Sequence, residues 1–269
     1  MTIPTDATPG RSADIVSRPP ALPLSRSPRP LAGSLRFIRY GFMPNRLRYC
    51  GGDDNRTLFE YGIERVVDGG LLPLLRRFTG ALPYLQLIAR ANGIADPFDE
   101  QVVEAYWLGN ELLDGVEVRQ LYDALLERFG KQLQGRAREL VLGKAPAGAR
   151  PHHSFHVLDV HSRVGELENS LETMDNCRVS WGRVLRLEGA EAVVERRPLV
   201  LQDGKLALGP ARQERALRQV DGRGFADDAR PGDWLALHWG WVCEVIDDRQ
   251  RRNLERYSLH HIHLASPTL

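Results

Sequence analysis

Cysteine is scarce, three residues in a chain of 269. Three cannot make a disulfide framework, and an odd count at this length fits a reducing compartment, so a cytoplasmic location is expected. A long apolar run is missing too: nothing approaches the ~20 residues of a membrane helix, and no membrane partner is expected. Neither charge sign dominates. Thirty-six Lys and Arg face thirty-five Asp and Glu, a formal net charge of +1, which leaves no electrostatic footprint for nucleic acid. No internal repeat is evident. What remains is a globular composition, 42% hydrophobic and 26% charged, with length for two ordinary domains or one large one.

Residues 1–33 stand apart. Ser17 to Pro30 is rich in Pro, Ser and Arg, without periodicity, and reads as a disordered tail. No apolar segment follows its early positive charge, so it does not read as a secretory signal. From 34 to 143 apolar residues recur at spacings of three and four, through Leu58, Tyr61, Leu71, Leu75, Leu82, Leu85, Val102, Tyr106, Leu121 and Leu125. This predicts a helical domain, interrupted at Gly69-Gly70 and Gly80. Residues 144–151, rich in Ala, Gly and Pro, read as a linker.

Beyond the linker the period becomes two. Strands are predicted at Phe155–Val160, Arg178–Leu187, Ala192–Glu195 and 199–208, the last folded at Asp203-Gly204. A further strand is predicted at Glu214–Val220, and a long apolar one from Trp234 to Val245. A helix closes the chain from about Asp247. The expected fold class is α+β: an N-terminal helical domain, then a small OB-like β-barrel over 152–269 with a C-terminal helix.

Three groups of residues offer chemistry. Cys177 and His238 sit on the first and last strands of the β-rich segment. Thiolate and imidazole suit a soft or borderline metal, whereas a buried thiol and a hydrogen-bonded histidine are the structural alternative. His152, His153 and His156 form the second group. On a strand His152 and His156 share a face, so they offer two imidazole ligands for nickel, zinc or iron, or else a polar strand entry. Cys50, before Gly51-Gly52 and a helix start, is a candidate nucleophile or ligand, or a buried thiol in a tight turn. His260, His261 and His263 read as a solvated helix end, and Cys243 as core.

The stretch Cys177-Arg178-Val179-Ser180-Trp181-Gly182-Arg183-Val184, with Ala192-Val193-Val194, resembles the opening of the HypC/HupF family of nickel–iron hydrogenase maturation chaperones. Pro231-Gly232-Asp233, followed by His238-Trp239-Gly240-Trp241, resembles that family's closing strand. The likeness covers residues 175–260. It implies an OB-like barrel carrying an iron–cyanide–carbonyl group, or a single Fe, Ni or Zn ion, on Cys177 and His238. The implied partners are the hydrogenase large-subunit precursor and the maturation scaffold. In that family the cysteine follows the initiator Met, with a free amino group beside it. Here it is internal.

The whole chain also resembles an uncharacterised bacterial family associated with nickel–iron hydrogenase gene clusters, through Tyr40-Gly41-Phe42-Met43-Pro44-Asn45-Arg46 and Pro151-His152-His153-Ser154-Phe155.

The resemblance makes a hydrogenase-maturation accessory protein the leading expectation, more readily a non-enzyme than an enzyme. An enzyme using Cys50 with the 152–156 histidines, and a non-catalytic interaction module, are the alternatives. Two placements are expected: Cys177 with His238 at one end of the barrel, and at least two of the 152–156 histidines near Cys50 where the helical and β parts meet.

Overall fold

A computed structural model describes residues 32–131, 133–161, 163 and 170–266. Most of the expected N-terminal tail lies outside the described residues. Helix α1 (Gly33–Arg46) is buried on nearly every side, through Leu35, Phe37, Ile38, Tyr40, Phe42 and Met43. A helix apolar all round belongs at the centre of a core. Its neighbours are α2 (Asn55–Glu64), α3 (Leu71–Leu75), α5 (Glu100–Trp107) and two strands of the sheet. Buried Arg36 ties these parts together, 3.2 Å from both Glu104 and Glu244. A charge this deep is tolerated only with such partners. Helices α4 (Leu82–Ala91), α6 (Val118–Phe129) and α7 (Gly135–Lys144) complete the first half.

Residues 153–161 are helical, which corrects the strand expected at Phe155–Val160. The short helix α8 (His153–Phe155) runs into a π-helix over His156–His161. The apolar run is buried on all sides, so it has no period-two alternation to read, and its packing sets its conformation. The segment read as a linker is packed in part, with Lys144, Ala145 and Ala149 buried. Helix α9 (Leu171–Cys177) then leads into the sheet.

The sheet has five strands: β1 (Ser180–Glu188), β2 (Glu191–Arg196), β5 (Arg212–Leu217), β6 (Trp234–His238) and β7 (Trp241–Ile246). Pairing runs β1-β2-β5-β7-β6 and returns to β1. It is antiparallel except at β5–β7, where Leu217 meets Trp241. Strands β3 (Leu199–Gln202) and β4 (Lys205–Leu208) form a separate hairpin. The long strand expected from Trp234 to Val245 is instead the β6–β7 hairpin. Its turn is Trp239-Gly240, with φ of 54° and 66°, the paired positive values a two-residue hairpin turn requires. Tryptophan is a strand former and masked this turn in the sequence.

A small core inside the ring holds Val184, Val194, Leu235, Leu237 and Val242. The larger core is continuous from Leu35 to Ala265 and takes residues from the helices and the sheet. The architecture is therefore α+β with a mixed five-stranded sheet. Helix α10 (Asp248–Ala265) starts at a capping box between Asp247 and Gln250 and buries Leu254, Tyr257, His261 and Ile262. Among the described residues no helix is long and apolar enough to cross a membrane.

Candidate metal centre

Cys177 ends α9, three residues before β1. Asp175 anchors this junction: it pairs with Arg178 at 2.9 Å and Arg196 at 2.5 Å, and accepts from the Leu199 backbone N–H. Burial alone would raise its carboxyl pKa, but the two guanidinium groups more than offset this and hold it below the usual range. Across the sheet, β6 pairs with β1, placing Leu237 opposite Ser180. The Trp239 N–H donates to the Asn176 carbonyl at 2.8 Å. These constraints bring His238 to Cys177.

His153 enters from α8. The ligand atoms of His153, Cys177 and His238 all lie within 4.8 Å of one another, and the three residues are buried. Such a group could hold a metal ion. The rings of His153 and His238 are 5.0 Å apart. Two imidazoles on one tetrahedral ion, with nitrogens ~2.0–2.1 Å from it, put their ring centres roughly 5 Å apart.

His238 is the better prepared of the two. Its Nδ1–H donates to the Tyr40 carbonyl at 2.7 Å, which fixes the tautomer and leaves a lone pair on Nε2. That Nε2 is buried with no hydrogen-bond partner. A carbonyl on one nitrogen and a bare lone pair on the other is how metal-bound histidines are oriented. His153 is engaged at both nitrogens: Nε2–H donates to the Cys177 carbonyl at 2.8 Å, and Nδ1 meets the Tyr106 hydroxyl at 3.1 Å. Taking an ion would cost it one of these bonds.

Burial lowers the His238 pKa to about 4. Burial, reinforced by His238 and His156, holds His153 well below its ordinary value. Both rings are therefore neutral at pH 7, as ligation requires. Burial pushes the Cys177 thiol up to about 12, so binding a divalent ion must displace its proton.

Residues 29–269 match the family of unknown function DUF6390. The chain belongs to that family. No curated protein and no solved structure matches it.

In this DUF6390 member the three residues border a cavity of ≈ 50 Å³ that Cys50, His156, His161, Tyr49, Tyr106, Trp107 and Trp239 also line. Room for one water takes ~10–15 Å³ on this measure, so the cavity admits an ion with several small ligands. The Tyr49 and Trp239 rings stack at 4.1 Å beside it. Cys50 is exposed as a residue, yet its thiol is crowded by protein on the cavity side. That desolvation, together with Cys177, raises its pKa far above the ordinary value, the opposite of an activated nucleophile.

Two of the expected second-group residues, His153 and His156, line this cavity with Cys50, and His152 does not. The helical conformation of this segment is the reason. It puts positions 153 and 156 on one side, where a strand would have paired 152 with 156. His152 instead caps α8, its Nδ1 accepting from the Ser154 N–H. The Ser154 hydroxyl lies 2.7 Å from His152 Nδ1 and 2.7 Å from His261 Nδ1. The Arg150 N–H donates to His261 Nε2.

His261 is thus fully buried, correcting the solvated helix end. It shares the inward face of α10 with Tyr257, while His263 is exposed and His260 reaches the Gly148 carbonyl. Cys243 is buried in β7, off the cavity lining. Sequence reading missed His161 and the tyrosines that hold the rings. His161 stands five residues from His156, a spacing that neither helix nor strand periodicity brings together.

Proposed function

We propose that this protein is an accessory factor of nickel–iron hydrogenase maturation that carries a metal cargo at His153, Cys177 and His238. One observation carries the reading. The cysteine and histidine from the two halves of the HypC-like pattern bring their ligand atoms within 4.8 Å of each other. The ring of strands with α10 behind it supports an OB-like barrel, the fold the resemblance implies. Where that family has a free amino group beside its cysteine, this chain presents the His153 imidazole, a third donor from the helical half.

One sulfur and two nitrogens suit Fe, Ni or Zn. A cavity of ≈ 50 Å³ also leaves space for diatomic ligands, as an iron–cyanide–carbonyl group would need. The partner on this reading is the large-subunit precursor, and the compartment a reducing cytoplasm that keeps the three free thiols reduced.

The test is purification of the tagged full-length chain from cells actively making a nickel–iron hydrogenase. The expected result is co-purification of the large-subunit precursor or a scaffold protein. Metal content and cyanide or carbonyl infrared bands should be lost in Cys177→Ser and His238→Ala. Absence of both partner and metal in the wild type would sink the reading.

A further inference from the structure

Four of the eight histidines line one cavity, and they form two pairs. His153 and His238 are 5.0 Å apart, and His156 and His161 are 5.3 Å apart, with 6.4 Å between His153 and His156. Both intra-pair spacings match the roughly 5 Å that two imidazoles take around one ion. We propose that His156 and His161 form a second metal station, outside the His153–Cys177–His238 group and opening onto the same cavity.

The backbone is built for this pair. In an α-helix, residues five apart face different directions. The π-helix over His156–His161 widens the turn and brings these two rings side by side. Single π turns inside helices recur at functional sites for this reason. The ring of His156 is also oriented from behind, its Nδ1 3.3 Å from the Tyr84 hydroxyl. His153 has the Tyr106 hydroxyl and His238 the Tyr40 carbonyl in the same place. A partner that accepts from Nδ1 frees the opposite nitrogen for ligation, as the Tyr40 carbonyl does for His238 and the Tyr84 hydroxyl oxygen can do for His156. His156 Nε2 lies beside Gly80, near enough that a Cβ there would sit 3.6 Å from it. Cys50 lines the same cavity and offers a soft ligand to an ion passing in or out.

The two stations differ in strength. The inner one gains a thiolate when Cys177 is deprotonated by the ion. The outer one has no thiolate, and its His156 has the Arg128 guanidinium as a neighbour, a cation that opposes another. Its affinity should be at least tenfold lower, so it exchanges readily and loads the inner group.

Titration of the full-length chain with Co(II), followed by equilibrium dialysis and near-ultraviolet absorption, separates the stations. Wild type should bind two equivalents, the tighter one with a thiolate-to-cobalt band. His161→Ala and the milder His161→Gln should each remove only the weaker equivalent, with thermal unfolding unchanged. Cys177→Ser should remove the band and weaken only the tighter equivalent. One equivalent in the wild type, or a weaker equivalent untouched by both His161 and His156 variants, overturns the outer station. A weaker equivalent that survives while Cys177→Ser changes nothing leaves the outer station standing and rejects the inner one.

Discussion

Two histidine clusters leave α8 on different sides, and both are buried. One, His152 with Ser154 and His261, is packed without a cavity beside it: the Ser154 hydroxyl bridges both rings, and backbone N–H groups donate to His152 Nδ1 and His261 Nε2. The other, His153 with His238 and Cys177, borders a cavity. Burial depresses the histidine pKa in both. Burial and perturbed protonation therefore do not distinguish a lock from a site. An unpartnered ring nitrogen does not either, since His152 Nε2 and His238 Nε2 both have none; the cavity beside His153, His238 and Cys177 does.

Acid should strain both clusters and gives the largest effect. Burial lowers His152 to about 3 and His238 to about 4, and moves His153, His156 and His261 in the same direction. In the unfolded chain each histidine takes a proton near pH 6.5, while in the folded chain it stays neutral. Their contribution is complete above pH 6.5 and is lost as pH falls toward the folded values, with a slope of about 1.4 kcal/mol per pH unit for each ring. Denaturant unfolding of the metal-free protein at pH 7 and pH 5 should differ by several kcal/mol. Bound Zn(II) should protect the cavity histidines and leave the His152–His261 share of the loss in place. An unchanged midpoint between the two pH values would mean the rings are not buried neutral.

Replacing Cys177 breaks the comparison from the cavity side. Cys177→Ser should lower the affinity of the inner ion by more than about 100-fold, beyond the 10–100-fold typical of losing an outer partner. Stability of the metal-free protein should stay within about 1 kcal/mol, since a thiol becomes a hydroxyl of similar size. Isothermal titration and thermal unfolding read the two quantities separately.

Ser154→Ala breaks it from the other side. It leaves His261 Nδ1–H without its acceptor and His152 Nδ1 with one donor fewer, deep in the core. The expected cost is about 2–4 kcal/mol in urea unfolding, with ion affinity unchanged. A drop in metal binding larger than the loss of stability would show that the two clusters are coupled through α8.

The sequence carried one side of this contrast better than the other. The strand pattern of β1, β2 and the Asp203-Gly204 hairpin was legible because alternation and turn chemistry are local. Cys177 and His238 could be picked out by their places at the two ends of that pattern. The sorting of His152 from His153 and His156 was not legible, because it depends on whether residues 152–161 form a strand or a helix. That run is buried throughout, so its own residues show no exposed face, and tertiary packing decides. The inward turn of His261 was hidden for a related reason. A histidine is polar in any pattern, and only Ser154 across the core shows that it is satisfied there.

Gly80→Ala gives the smallest effect and the sharpest separation of space from stability. Gly80 has no left-handed backbone angle, and a Cβ there would meet only His156 Nε2, at the ordinary contact distance of 3.6 Å. The hydrogen bond from Arg128 to the Gly80 carbonyl uses backbone and survives the change. Folding should therefore be unchanged or stabilised by up to about 1 kcal/mol through the stiffer unfolded chain. The added methyl narrows the approach to His156 and leaves the inner group alone. Co(II) exchange should slow several-fold in stopped-flow measurements, while the affinity of the tighter equivalent holds. Equal exchange rates in Gly80→Ala and wild type would show that ions reach the inner group by another route, and that His156 does not stand on the path.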